Sequence, residues 1–107
     1  MSLYINVTYL LPNYLFYVLY LLSMLEDVSF LERSKIRVTV MQNLEKPSTP
    51  TRSSKLLKLH RSAISRAILE LEGKDFVKCL NPSDRRARFY QITDKGKKLL
   101  KKYQNLN

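Results

Sequence analysis

Leu59-His60-Arg61-Ser62-Ala63-Ile64-Ser65-Arg66-Ala67-Ile68-Leu69-Glu70-Leu71-Glu72-Gly73-Lys74 is the stretch whose reading decides the fold. Ile64, Ile68 and Leu71 recur at i, i+4 and i+7, which predicts an amphipathic helix with one stripe turned inward. Arg61, Ser62, Ser65 and Arg66 fall largely off that stripe. Two guanidinium groups and two short hydroxyls suit a helix whose N-terminal half enters a DNA major groove, because Arg can donate to both acceptors of one guanine edge. An ordinary basic, solvated face has the same composition, so the surrounding chain must decide between the two.

The segments on either side frame this helix. Upstream, Thr51–Leu57 predicts a short helix capped by Thr49 or Thr51, with Leu56 and Leu57 inward. Lys58-Leu59-His60 leaves room only for a turn, so the order is helix, turn, helix, the helix-turn-helix arrangement. His60 stands where Ser, Asn or Asp caps better and reads as a turn residue near a phosphate. Further upstream, Ser29–Leu44 predicts a helix with Ile36, Val40 and Leu44 on one face, and Ser29 with Glu32 at capping-box spacing. Glu45–Pro50 is a loop, since two prolines cannot continue a helix. Downstream, Phe76–Leu80 and Arg88–Ile92 predict two strands joined by the turn residues Asn81-Pro82-Ser83-Asp84. Arg85, Arg86 and Arg88 crowd the tip of this hairpin, where like charges repel unless an anion lies between them. Thr93-Asp94 caps a last helix, Lys95–Tyr103, whose lysines read as a solvated face.

Charge is distributed unevenly along the 107 residues. Arg33, Lys35, Arg37 and Lys46 cancel Glu26, Asp27, Glu32 and Glu45, so the whole excess of +10 lies beyond residue 50. A basic half of this kind predicts a polyanionic partner, nucleic acid or an anionic membrane surface. The single cysteine, Cys79, allows no internal disulfide and points to a reducing, cytoplasmic setting, with the thiol as core filling. No metal-ligand cluster, cofactor motif or acid–base pair is present, so neither an enzyme nor a metal or cofactor site is expected.

Met1–Leu25 contains no charged residue. About 20 apolar residues can cross a bilayer, but Pro12-Asn13 divides the stretch and leaves Tyr14–Leu25 too short to span. A signal peptide fits poorly, because no basic residue precedes the apolar run. The expected alternative is a helix from about Pro12 to Leu25, with proline in its first turn. Apolar all round, it needs cover on every side, and a second copy would supply it through Tyr14, Leu15, Tyr17, Val18, Leu21, Leu22 and Leu25. The chain thus divides into residues 1–28, an apolar dimerisation segment, and residues 29–107, the DNA-binding domain. A membrane tether remains the alternative use of the first segment.

Asp84, Arg86, Ala87, Ile92, Thr93 and Gly96 match a pattern of Asp-x-Arg-Ala, a short strand, then a hydrophobe and Thr-x-x-Gly. Here the chain resembles the wing of the multiple antibiotic resistance regulator (MarR) family, and Arg61–Val77 is similar to that family's recognition helix and following strand. The resemblance implies a mainly α winged helix-turn-helix with a small β-hairpin wing, acting as a dimeric transcriptional regulator on double-stranded DNA. It would assign base or phosphate contacts to Arg61, Ser62, Ser65 and Arg66. Arg86 would enter the minor groove, with Asp84 orienting its guanidinium. Arg52, Ser53, Arg85 and Arg88 would anchor phosphates. Lys58 replaces the usual turn glycine, and Ser53 stands where an apolar residue is common. The family's long C-terminal helices are missing before Asn107, which shifts dimerisation onto the N-terminal helix and leaves no expected effector pocket. A winged helix used for protein interaction or for coating DNA is the remaining alternative.

Overall fold

In the computed structural model, which describes residues 2–106 and side chains from Asn13 onward, Ile64, Ile68 and Leu71 are all buried, as the helical spacing predicts. They lie on α4 (Arg61–Gly73), preceded by α1 (Ser2–Glu32), α2 (Lys35–Asn43) and α3 (Pro50–Leu57) and followed by β1 (Val77–Cys79), β2 (Tyr90–Ile92) and α5 (Asp94–Leu106). The architecture is mainly helical with a two-stranded wing.

Two helix starts differ from expectation by more than two residues. Pro12 was expected in the first turn of α1, but the helix begins at Ser2 and runs through Pro12 without a break. Ser29 was expected to cap α2, yet α1 continues past it, because Val28, Phe30 and Leu31 carry its apolar side into the core. The interruption falls instead at Arg33-Ser34. Ser34 takes an extended conformation and its hydroxyl accepts from the Arg37 N–H, so Ser34 is the cap of α2. The division drawn at residue 28 therefore falls inside a continuous helix.

α2, α4 and α5 enclose the core with the wing. Val40, Met41 and Leu44 meet Ile64, Ile68 and Leu71, and Phe76, Ile92, Leu99 and Leu100 close the far side. Leu57 packs against this core as expected, whereas Leu56 is exposed. One inward position per turn is all that a two-turn helix lying on the surface needs.

The wing pairs β1 and β2 antiparallel in the register Val77↔Ile92, Lys78↔Gln91, Cys79↔Tyr90. Ser48 adds an isolated bridge on the other edge of β2, exchanging both backbone bonds with Tyr90 at 2.9 and 3.1 Å. Thr93 then caps α5: its hydroxyl accepts from the Gly96 N–H at 3.0 Å and donates to the Asp75 carbonyl at 2.7 Å. Gly96 must be glycine here, since an added Cβ would meet the Phe76 carbonyl oxygen and Ile92 Cγ1.

The lower end of α1 is tied to the domain by more than burial. Glu26 pairs with Lys74 at 3.7 Å, and Lys74 lies over the Phe30 ring. α5 stays beside α1 as high as Tyr20, whose hydroxyl accepts from Lys102 Nζ, and α1 projects above that level. Tyr14, Leu15, Tyr17, Leu22 and Leu25 are exposed, while Val18 and Leu21 are half-buried. The molecule measures 66 × 32 × 19 Å, elongated by this projection.

Candidate nucleic-acid interface

The turn that aims α4 is built by α3 and its cap. Thr49 is extended and accepts from the Arg52 N–H at 3.1 Å, with Pro50 at the first helical position. At the other end Lys58 takes a left-handed conformation, φ 55°, in place of a glycine. Ser54 secures the turn from both sides: its hydroxyl donates to the Leu59 carbonyl at 2.6 Å and its own carbonyl accepts from the Leu59 N–H at 3.2 Å. His60 stands at the N-cap of α4 with no side-chain capping bond. Its imidazole is exposed beside the start of the helix.

With Ile64, Ala67, Ile68 and Leu71 buried, α4 presents Arg61, Ser62, Ser65, Arg66 and Leu69 outward. At about 100° per residue, Ser62, Ser65 and Leu69 occupy the middle of that face and the two arginines its flanks. The flanks meet different neighbours. Arg61 faces the wing, while Arg66 shares a hollow with Arg37 and Glu70 on the α2 side. Leu69, 63% exposed, is absent from the sequence expectation because a leucine in a helical pattern is counted toward the core.

On the wing side a cleft of about 270 Å³ forms between the N-termini of α3 and α4 and the hairpin tip. It is lined by Thr49, Pro50, Thr51, Arg61, Arg85, Arg86, Ala87, Arg88 and Tyr90. Four guanidinium groups and the positive end of the α3 dipole therefore border one space, and no carboxylate lines it. Among the described residues the ion pairs are Arg37–Glu70 and Lys74–Glu26, neither of which involves these arginines. Such an arrangement attracts an anion. Thr51 was missed in the sequence, although the Thr-Pro-Thr run ahead of α3 carries the signal for it.

Two assignments are corrected. Ser53 is fully buried and contacts no solvent: its hydroxyl donates to Asn43 Oδ1 at 2.6 Å and lies 3.0 Å from Ser48 Oγ. It joins α2, the Ser48 bridge and α3, a polar clasp in a position where an apolar residue would serve only as filling. Asp84 does not pair with the Arg86 guanidinium. Its Oδ1 accepts from the backbone N–H groups of Arg86 and Ala87 at 2.8 and 3.4 Å, which shapes the tip itself. Asn81 completes the tip across the hairpin, accepting from the Phe89 N–H at 2.7 Å and donating to the Ala87 carbonyl at 2.8 Å. Arg88 Nε donates to the Asp84 carbonyl at 3.0 Å. Arg52 is exposed but faces a separate hollow with Gln42, Lys46 and Leu56. The described residues contain no group of His, Cys, Asp and Glu able to hold a metal.

No protein-family model and no curated protein sequence matches the chain. Solved structures do. A mutant of ZitR from Lactococcus lactis superposes with TM-score 0.59 at 20% identity, over 67% of this chain and 51% of that one. A mutant of MarR from Escherichia coli, complexed with operator DNA, gives TM-score 0.62 at 24% identity over 78% and 61%. The transcriptional regulator BldR from Sulfolobus solfataricus gives TM-score 0.62 at 23% identity over 94% and 76%. The chain spans about half of ZitR and about three fifths of MarR. At these similarities the chain has the MarR-like winged-helix fold.

Proposed function

We propose that the chain is a DNA-binding transcriptional regulator that acts as a homodimer and works through binding alone. The observation that carries this reading is the wing-side cleft, with four arginines around one space and no carboxylate among its lining residues. A phosphate of the DNA backbone fits that chemistry, contacted by Arg61 and the wing arginines together. With the backbone held there, Ser62, Ser65 and Arg66 face the major groove, where short hydroxyls permit close approach and Arg66 reaches a base edge or the opposite phosphate. Arg86, at the exposed tip, follows the adjacent minor groove. His60 contributes at the helix start, while Arg52 reaches a phosphate outside the cleft.

Tyr14, Tyr17, Val18, Leu21 and Leu25 fall along one side of α1, with Leu15 and Leu22 beside them. A two-fold pairing of this stripe places two recognition helices on one duplex. The MarR structure with operator DNA supports the DNA-binding part, since this chain shares its fold. Action on DNA sets the domain in the compartment of the chromosome, the cytoplasm.

The test is fluorescence anisotropy with a short duplex carrying a palindromic site selected from a random pool, against a scrambled duplex. Arg86→Ala is expected to cost about 1–3 kcal/mol on the selected site. Arg61→Ala is expected to reduce the slope of affinity against salt by about one phosphate contact. Unchanged affinity for Arg86→Ala at both low and moderate salt would remove the cleft from the interface. Equal affinity for the two duplexes would favour the coating protein over the regulator.

A further inference from the structure

The described part of α1 above the domain, from Tyr14 to Leu19, has apolar or aromatic side chains on every side. Phe16 and Leu19, 73% and 51% exposed, face away from the stripe of Tyr14, Val18 and Leu25. One paired helix covers one stripe of its neighbour, so a second copy leaves these side chains in water. We infer that lipid covers them: α1 seats the protein in an anionic bilayer, with the winged-helix domain held at the cytoplasmic surface.

Three observations converge on this. First, α1 is unbroken through Pro12, and the charge-free run that the proline was expected to divide is one helix. Proline inside a helix is tolerated in membrane spans, where neighbouring groups satisfy the freed carbonyl. Second, the free length fits. The described segment Asn13–Glu32 is long and apolar enough, by length and composition, to cross a membrane, and most of it is unburied. Its lower end, though, belongs to the domain through Val28, Phe30, Leu31 and the Glu26–Lys74 pair. The body reaches as high as Tyr20, whose hydroxyl takes a hydrogen bond from Lys102 Nζ at 3.0 Å. The part above it, Ser2 to Leu19, rises about 27 Å, close to the roughly 30 Å of a hydrocarbon core.

Third, the charge lies at the right height. α5 runs beside α1, and Lys98 and Lys102 line the upper part of the hollow between the two helices with Tyr20, while Lys95, lower down beside Asp27, donates to the Lys74 carbonyl. Lysines where an apolar helix leaves a folded domain suit anionic lipid headgroups and keep that domain on the cytoplasmic side. Tyrosine at the same level suits the interface, where one end of the ring is apolar and the other wet. Pairing of two α1 helices is compatible with this arrangement, each covering one side of the other while lipid covers the rest.

The test is cell-free synthesis of the full chain with vesicles of phosphatidylcholine and phosphatidylglycerol, followed by flotation and alkaline carbonate extraction. The native chain is expected to float and to resist carbonate. The double variant Phe16→Lys with Leu19→Lys is expected to lower the floating fraction by more than about tenfold. Both positions lie outside the proposed dimer stripe and the DNA-facing surface, so duplex binding by the same variant reports that the domain is folded. Lys98→Glu with Lys102→Glu is expected to reduce flotation on the anionic vesicles more than on phosphatidylcholine alone. A native chain that stays at the bottom of the gradient as a discrete soluble assembly overturns the inference, as does a double-lysine variant that floats as well as the native chain. Loss of duplex binding with flotation intact would count against the regulator reading and leave the anchor standing.

Discussion

Arg37 joins three helices through one guanidinium that also bonds Glu70. Its Nε donates to Glu70 Oε2 at 2.8 Å, with a second bond from Nη2, while Nη1 donates to the Phe30 carbonyl at 2.7 Å. The same group lies 3.9 Å from the centroid of the Phe30 ring. α2 is thereby fastened to the end of α1 and to the flank of α4, so the base of the projecting helix and the recognition helix share one support.

Because both side chains are mostly screened from solvent, 19% and 33% exposed, this pair is worth more than a surface ion pair. Arg37→Met is expected to lower the unfolding free energy by about 1–3 kcal/mol, read from urea denaturation. Arg37→Lys is expected to recover only part, because an ammonium cannot serve Glu70 twice and Phe30 from one plane. Full recovery by lysine would show that charge alone matters at this position.

Gly96 tests the closeness of α5 to the wing. A methyl group there would overlap the Phe76 backbone carbonyl, which cannot rotate away as a flexible side chain would. Gly96→Ala is expected to destabilise the domain by about 1–3 kcal/mol through overpacking, against a helix-propensity gain of about 1 kcal/mol or less in the first turn. Thermal melting gives the sign. A raised melting temperature would mean that α5 can slide without cost.

The Thr93-x-x-Gly96 spacing was legible as a motif in the sequence, and the close approach gives its physical reason. Much of the domain was legible in the same way, since period and capping act locally: the stripe of Ile64, Ile68 and Leu71 and a threonine cap at Thr49 or Thr51 depend on neighbours within a few residues, whereas the strands are shorter than expected and pair Cys79 with Tyr90 across a longer loop than Asn81–Asp84. Ser53 and Asp84 were misread because their partners are Asn43 and the buried Ser48 in the one case and two backbone N–H groups in the other, which side-chain chemistry alone does not reveal. The restart at Ser34 was displaced by tertiary burial of Phe30 and Leu31, which outweighs a plausible cap at Ser29. The convergence of Arg61 with the wing arginines was unreadable for another reason: 24 residues separate Arg61 from Arg85, and only the fold brings them to one cleft.

Ser53 separates stability from recognition. Ser53→Ala leaves the half-buried Asn43 Oδ1 and the buried Ser48 Oγ without their shared partner, which is expected to cost about 1 kcal/mol in chemical denaturation. Duplex affinity, measured where the variant is fully folded, is expected to match the native chain, because no Ser53 atom reaches the surface. Weaker binding with unchanged stability would restore Ser53 to the interface.

At the wing tip the carboxylate of Asp84 works on backbone, so its charge and its geometry separate cleanly by substitution. Asp84→Ala removes the acceptor for the Arg86 and Ala87 N–H groups. The exposed tip then fluctuates, and binding must order it again at about 0.5–1.5 kcal/mol for each immobilised side chain. Global stability is expected to change by about 0.5 kcal/mol or less, as for other surface positions. Asp84→Asn keeps an oxygen in place and removes a negative charge that opposes DNA phosphate, so its affinity is expected to equal or exceed that of the native chain. Anisotropy titrations of the two variants decide the role: a loss in Asp84→Asn as large as in Asp84→Ala would mean that Asp84 acts through charge on a wing arginine in the complex.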